Sequence, residues 1–148
     1  MNSPLPFKNG ITDCIIITEV LEHLRNPSFT LSEIHRVLKH RGKLFLTVPS
    51  FFRPHEIPND FCRFTFFGLK YLLQKGGFKN FQIKGHGDEF TILAESLMFA
   101  LRRTHLPKKV LLFLIAFINT IFYLRERKKF PEVSPERNTI GLSAIAVK

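Results

Sequence analysis

Residues 11–18 read ITDCIIIT, a short run that is apolar or β-branched along nearly its whole length. A strand with one wet face alternates polar and apolar residues. This one hardly does, so it predicts a strand covered on both faces, as in a parallel sheet. A second such run, KLFLTV at residues 43–48, is closed by Pro49. Between the two runs the spacing predicts a helix. Asn26 is a good N-cap and Pro27 suits the first helical position. Leu31, Ile34, Val37 and Leu38 then fall on one helical face. Gly42 is expected to end that helix in the left-handed conformation.

Working outward, residues 50–63 carry Pro54 and Pro58 and show no helical or strand period, so they predict a loop. Thr65 is expected to cap a further helix with Phe66, Leu69, Leu72 and Leu73 on its apolar positions, ended by Gly76 and Gly77. Residues 78–84 (FKNFQIK) alternate like a strand. Residues 90–101 read as a helix. Residues 110–124 (VLLFLIAFINTIFYL) are apolar nearly all round, but 15 such positions fall short of the roughly 20 a spanning helix needs. Residues 139–147 (TIGLSAIAV) predict a last strand. Strands alternating with helices define an α/β domain.

The chain has 148 residues and is 45% hydrophobic and 23% charged, which bounds it to one folded domain over residues 1–148. Cys14 and Cys62 are too few for a disulfide framework, and no histidine stands at a zinc-finger spacing from them. No charged start followed by an apolar stretch opens the chain. The expected location is therefore cytoplasmic, with association at the inner face of a membrane left open.

With these elements in place, an ordered set of short motifs stands out. Leu5-Pro6-Phe7, Asp13-Cys14-Ile15-Ile16, Glu19-Val20-Leu21-Glu22-His23-Leu24 and Asn26-Pro27 follow one another. Glu33-Ile34-His35-Arg36-Val37-Leu38-Lys39, then Gly42, then Leu46-Thr47-Val48-Pro49 come next. His55, Pro58, Asp60-Phe61, Arg63-Phe64-Thr65 and Gly68-Leu69 complete the set. In this order and spacing the set resembles the C-terminal part of the class I S-adenosylmethionine-dependent methyltransferases of type 11, over roughly residues 4–85. The resemblance implies the second half of a Rossmann-like sheet, about four strands with flanking helices. It departs from the family at His40-Arg41-Gly42, where Pro-Gly-Gly is usual, and at Thr12, where an aromatic residue usually precedes the aspartate. The family's glycine-rich first loop, and the acidic residue that ends its second strand, would have to precede Leu5. The expectation is thus a domain truncated at its N-terminus, with a helical lid or interfacial insertion over residues 90–130.

The resemblance also implies site residues. S-adenosyl-L-methionine would lie beyond the C-terminal strand ends. Thr18 and Glu19 would border its methionine part and Leu5 and Pro6 its adenine side. The loop after Pro49 would cover the acceptor, with Asp60, Arg63 and Phe64 beside it. His55 is the candidate general base, since an imidazole titrates near neutrality. Asp60 would orient His55, and Arg63 would take an acidic acceptor. A plainer reading makes Asp60 and Arg63 a structural pair that pins the loop. Phe51, Phe52 and Phe61 would supply apolar walls. His23 reads as a packed, hydrogen-bonded histidine in preference to a catalytic one, and Glu22 as part of a solvated turn in preference to a cofactor contact.

The formal net charge is +10. Part of the excess is clustered at Lys39 to Lys43, Arg102 to Lys109 and Arg125 to Lys129. Such charge attracts nucleic acid, anionic membrane surfaces and acidic substrates alike. Nucleic acid is disfavoured as a partner, because the chain lacks an RNP-like aromatic strand or an RGG tract and its phenylalanines take core-like periodic positions. The apolar run at 110–124, flanked by Lys108 and Lys109 and by the basic residues after Leu124, fits either a lid or a helix lying on an anionic membrane. The function expected is methyl transfer to a small or lipid-linked acceptor. The alternative is a non-catalytic methyltransferase-like fragment or partner subunit. A parallel sheet begun at its middle also exposes an edge that invites self-association.

Overall fold

The computed structural model describes residues 3–126 and 139–148. Its elements are β1 (Thr12–Thr18), α1 (Pro27–Val37), β2 (Leu38–Pro49), α2 (Phe66–Lys75), β3 (Asn80–His86), α3 (Glu89–Arg102), α4 (Lys108–Glu126) and β4 (Gly141–Val147). The four strands form one sheet in the order β1-β2-β4-β3. β1 and β2 are parallel, and β4 runs antiparallel to both β2 and β3. This is the α/β arrangement the strand and helix patterns imply.

The caps form as the sequence dictates. Asn26 Oδ1 accepts from the Phe29 N–H at 3.1 Å, and Thr65 Oγ1 accepts from the Gly68 N–H at 3.0 Å. Each satisfies a helix donor that has no partner within its own helix. Gly77 closes α2 with φ 100°, where a side chain would be strained and would crowd the His35 ring.

Gly42 behaves otherwise than expected. α1 stops at Val37, and Leu38 already belongs to β2. The left-handed position falls on Arg41, at φ 64°. Gly42 is needed for space instead, since a Cβ there would lie 2.8 Å from the Lys39 carbonyl oxygen. The strand thus begins earlier than KLFLTV, with the kink inside it.

The core lies on one side of the sheet. Leu44, Leu46 and Val48 of β2 and Leu142, Ala144 and Ala146 of β4 alternate inward. They meet Leu31, Ile34, Leu69, Leu73 and Phe78 in a single buried cluster. β1 is less covered than its composition predicts. Ile15 and Ile17 pack against the core, whereas Ile16 points the other way and is 68% exposed. The reason is the face it occupies, because Ile16 lies in register with Phe45 of β2 and Phe45 with Ile145 of β4, and Ile145 is exposed there too although β4 is a central strand. Beside it an apolar groove of about 540 Å³ runs between β1 and α1, lined by Leu5, Ile15, Ile17, Phe29 and Ile34 among others. The phenylalanines also differ from expectation. Phe64 and Phe78 are buried, but Phe7, Phe51, Phe61, Phe67, Phe90, Phe113 and Phe117 are exposed.

α3 and α4 pack against each other. α4 leaves Val110, Leu112, Phe113, Phe117, Ile121 and Leu124 exposed. Among the described residues no helix is long and apolar enough to cross a membrane. The basic residues after Glu126 lie outside the described residues.

His35 gives a pH prediction. Its ring stands edge-on to Phe78 at 5.1 Å between centroids. Burial, and then the charge of Lys148, push its pKa down. The unfolded chain therefore takes up a proton at this position more readily than the folded one. Stability from His35 is complete above the unfolded value of about 6.5 and declines as pH falls below it toward the folded value. Urea midpoints measured between pH 7.5 and 5 should fall, and His35→Gln should flatten that slope. An unchanged slope in the variant would remove His35 as the cause.

Candidate active site at the strand ends

Thr18 of β1 sits beside Thr47 of β2, so the two parallel strands end at one rim. Open α/β sheets bind ligands beyond such ends, where the connecting loops diverge. Glu19 leaves β1 there with φ 50°, a left-handed conformation uncommon for a residue with a side chain. Its backbone N–H donates to Thr47 O at 3.1 Å, which carries the strand pairing one residue past β1. A recess of about 320 Å³ opens at this rim, with Glu19, Thr47, Pro49, Phe52, His86 and Gly141 in its wall. His86 was not singled out from the sequence. It arrives from β3, and its Nε2 stands 2.7 Å from Ser143 Oγ.

Leu5 and Pro6 take a different place. The Leu5 N–H donates to Glu33 Oε2 at 2.9 Å, and Arg36 donates to the carbonyls of Leu5 and Phe7. This ties the segment along α1. Leu5 lines the groove beside β1 and is not part of the wall shared by Glu19 and Pro49.

The loop after Pro49 is organised by Arg63. Its Nε donates to Phe52 O and its Nη1 to Cys62 O. Its Nη2 donates to Arg53 O at 2.8 Å and to Asp60 Oδ2 at 2.7 Å, and Nη1 also reaches Asp60 Oδ1. All five guanidinium N–H groups are thereby engaged within the loop. The Arg63 guanidinium, helped by the His55 backbone N–H, holds the Asp60 carboxyl well below the usual carboxylate range. Phe64 is buried and belongs to the core, its N–H donating to Pro49 O at 3.1 Å.

His55 and His23 meet beneath this loop, rings edge to face at 4.8 Å between centroids. The His55 N–H donates to Asp60 Oδ2 at 2.8 Å, and that oxygen lies 3.6 Å from His55 Nδ1. His23 Nδ1 stands 2.7 Å from the Asn59 carbonyl. Between them lies the residue whose role the sequence did not reveal. Glu22 is fully buried, and among the described residues neither carboxylate oxygen has a hydrogen-bond partner. Its Oε1 is 3.7 Å from His23 Nε2 and 3.8 Å from His55 Nε2. Burial pushes its carboxyl pKa up, against the opposing pull of its own backbone N–H and the two imidazoles. The one sequence signal was an acid directly followed by a histidine in a turn, and such pairs are ordinarily solvated.

Comparison with known proteins bears on the fold. Residues 2–46 match the family model described as a methyltransferase domain. That match covers less than a third of the chain, and the fold of the whole resembles that of solved SAM-dependent methyltransferases. Among individual relatives, the chain is 41% identical over 56 residues to the ubiquinone/menaquinone biosynthesis C-methyltransferase UbiE of Blochmanniella pennsylvanica, covering 36% of this chain and 22% of that protein. It is 42% identical over 59 residues to an uncharacterized protein of Methanocaldococcus jannaschii, covering 38% of this chain and 26% of that one. These alignments span about a quarter of each relative's length.

Among solved structures, a SAM-dependent methyltransferase from Archaeoglobus fulgidus superposes with a TM-score of 0.55 at 15% identity, over 96% of this chain and 62% of that one. Haemonchus contortus phosphoethanolamine N-methyltransferase 2, solved in complex with S-adenosyl-L-methionine, gives 0.55 at 13% identity, over 96% and 34%. At such identities the likeness is one of fold.

Proposed function

We propose that this chain forms one side of an S-adenosyl-L-methionine site and the acceptor side of a methyl transfer. The observation that carries this reading is the shared rim, where Glu19 and Pro49 wall one recess beyond two parallel strand ends. The cofactor supplies an activated methyl group on a sulfonium. The described residues fit the methionine end of such a molecule, where Glu19 offers a carboxylate to an ammonium group and the backbone around Thr18 can approach closely. Methyl transfer asks mainly for alignment in a dry pocket. Phe52 supports this reading as an apolar wall of the recess, at the start of the loop that Arg63 and Asp60 tie together.

Calorimetric titration of the full chain with S-adenosyl-L-methionine tests the reading. Saturable binding is expected, weakened about ten-fold or more by Glu19→Ala, roughly the loss of one charge-assisted hydrogen bond. Heats that do not saturate, or a Glu19→Ala variant that binds like the parent, would remove the assignment.

The acceptor we propose is a small or lipid-linked molecule. The exposed apolar residues of α4, with Lys108 and Lys109 at its start, support an approach to an anionic membrane surface. The chain should co-sediment with phosphatidylserine vesicles and much less with neutral ones. Phe113→Asp combined with Phe117→Asp should reduce binding at least about ten-fold, given the apolar area each ring would bury. Equal sedimentation of the double variant would sink the membrane reading and leave α4 as a lid.

A further inference from the structure

We propose that Glu22, His23 and His55 hold a divalent first-row transition metal ion, of the class of Zn²⁺, Mn²⁺ or Fe²⁺. The ligand atoms all lie within 4.8 Å of one another. The two Nε2–Oε1 separations, 3.7 and 3.8 Å, are close to the roughly 3.4 Å between ligand atoms at metal–ligand distances of about 2.1 Å. Binding an ion would require side-chain rotations that draw these atoms, now within 4.8 Å of one another, closer together.

Three further features belong to a metal site rather than to an ordinary acid–histidine contact. The first is the buried carboxylate. Glu22 is 0% exposed and both its oxygens lack a hydrogen-bond partner among the described residues. A buried charged group in that condition is costly unless paired or bound to a cation. The second is tautomer control. His23 Nδ1 faces a carbonyl, which can only accept, so Nδ1 carries the proton and Nε2 presents its lone pair toward Glu22. The third is outer support. His55 Nδ1 is flanked by Asp60 Oδ2 at 3.6 Å and Arg53 O at 3.4 Å, with Arg63 Nη2 also at 3.4 Å. A backbone carbonyl behind a metal-binding imidazole is a recurrent partner of its second nitrogen, and Arg53 O is the one within reach here, Asp60 Oδ2 lying beyond hydrogen-bond distance.

Two imidazoles and one carboxylate favour Zn²⁺, Mn²⁺ or Fe²⁺ over Mg²⁺ or Ca²⁺, which prefer oxygen ligands. Three protein ligands leave coordination positions for water or an acceptor oxygen. His55 then acts as a ligand in place of a general base. The metal site stands on its own geometry and does not depend on cofactor binding.

The full chain, stripped with chelator and kept free of sulfonium compounds, should be titrated with Co²⁺ and then Zn²⁺. One equivalent of Co²⁺ should give visible d–d absorption, displaced by one equivalent of Zn²⁺. His55→Ala and His23→Ala should each weaken Co²⁺ binding by at least about 100-fold, more than the loss of an outer-shell partner. Glu22→Gln should do the same with little change in shape, and His40→Gln and His105→Gln should bind like the parent. Far-UV circular dichroism identifies any variant that fails to fold, and His55→Asn stands in where His55→Ala does. A parent chain that takes up no Co²⁺ would overturn the proposal. So would folded His23 and His55 variants that bind it unchanged, or binding of Mg²⁺ with no preference for Co²⁺.

Discussion

Replacing Glu22 by Met should stabilise the metal-free chain by about 1–3 kcal/mol, the penalty carried by a buried polar group without a partner. The side chain is fully buried and both oxygens are unpartnered among the described residues. Methionine is close in length, flexible enough to fill the space, and asks for no hydrogen bond. Single substitutions usually destabilise, so a gain of this size at a buried position would be diagnostic. Urea denaturation in the presence of chelator reads it directly. Addition of Zn²⁺ should then reverse the ranking, because an ion that binds only the folded parent raises its stability by mass action. A Glu22→Met variant that is less stable than the parent in chelator would mean that the carboxyl is satisfied in the folded chain.

Leu69→Ala should have the opposite effect, a loss of about 2–5 kcal/mol. Leu69 is 0% exposed and belongs to the cluster that joins α2 to the sheet and to α1. The spread in cost depends on how far the neighbours can collapse into the space. Collapse is restricted here, because Gly76 already brings α2 against Leu31, where an added Cβ would come within 2.8 Å of the Leu31 Cβ. A loss of several kcal/mol is a large share of the 5–15 kcal/mol typical of a domain. Thermal and urea unfolding should both shift, with circular dichroism at low temperature unchanged. A loss under 1 kcal/mol would show that α2 is not anchored through this residue.

Much of the framework was legible because it is local. Asn26-Pro27 and Thr65 carry cap chemistry in their own side chains, and the helices start where they stand. The strand runs also lie where the β-branched residues are. What escaped depends on neighbours distant in sequence. The kink at Arg41 and the crowding at Gly42 arise from the Lys39 carbonyl and not from a helix end. Ile16 looks like a core residue until it is placed on the sheet face opposite the core, in one row with Phe45 and the exposed Ile145. The cluster of Glu22, His23 and His55 needs a turn and a loop some thirty residues apart to fold over each other, and no spacing rule announces that. Arg63 could be read from sequence as a binding or a structural residue, and only its five engaged donors show it tied into its own loop.

The position of β4 has a consequence for how the molecule is made. Its residues, 141–147, are synthesised after the other described elements, yet they sit between β2 and β3. Until that segment leaves the ribosome, β1 and β2 can pair but β3 has no strand to pair with. Closure must therefore be a late event in biogenesis, and the waiting intermediate is the species most exposed to chaperones.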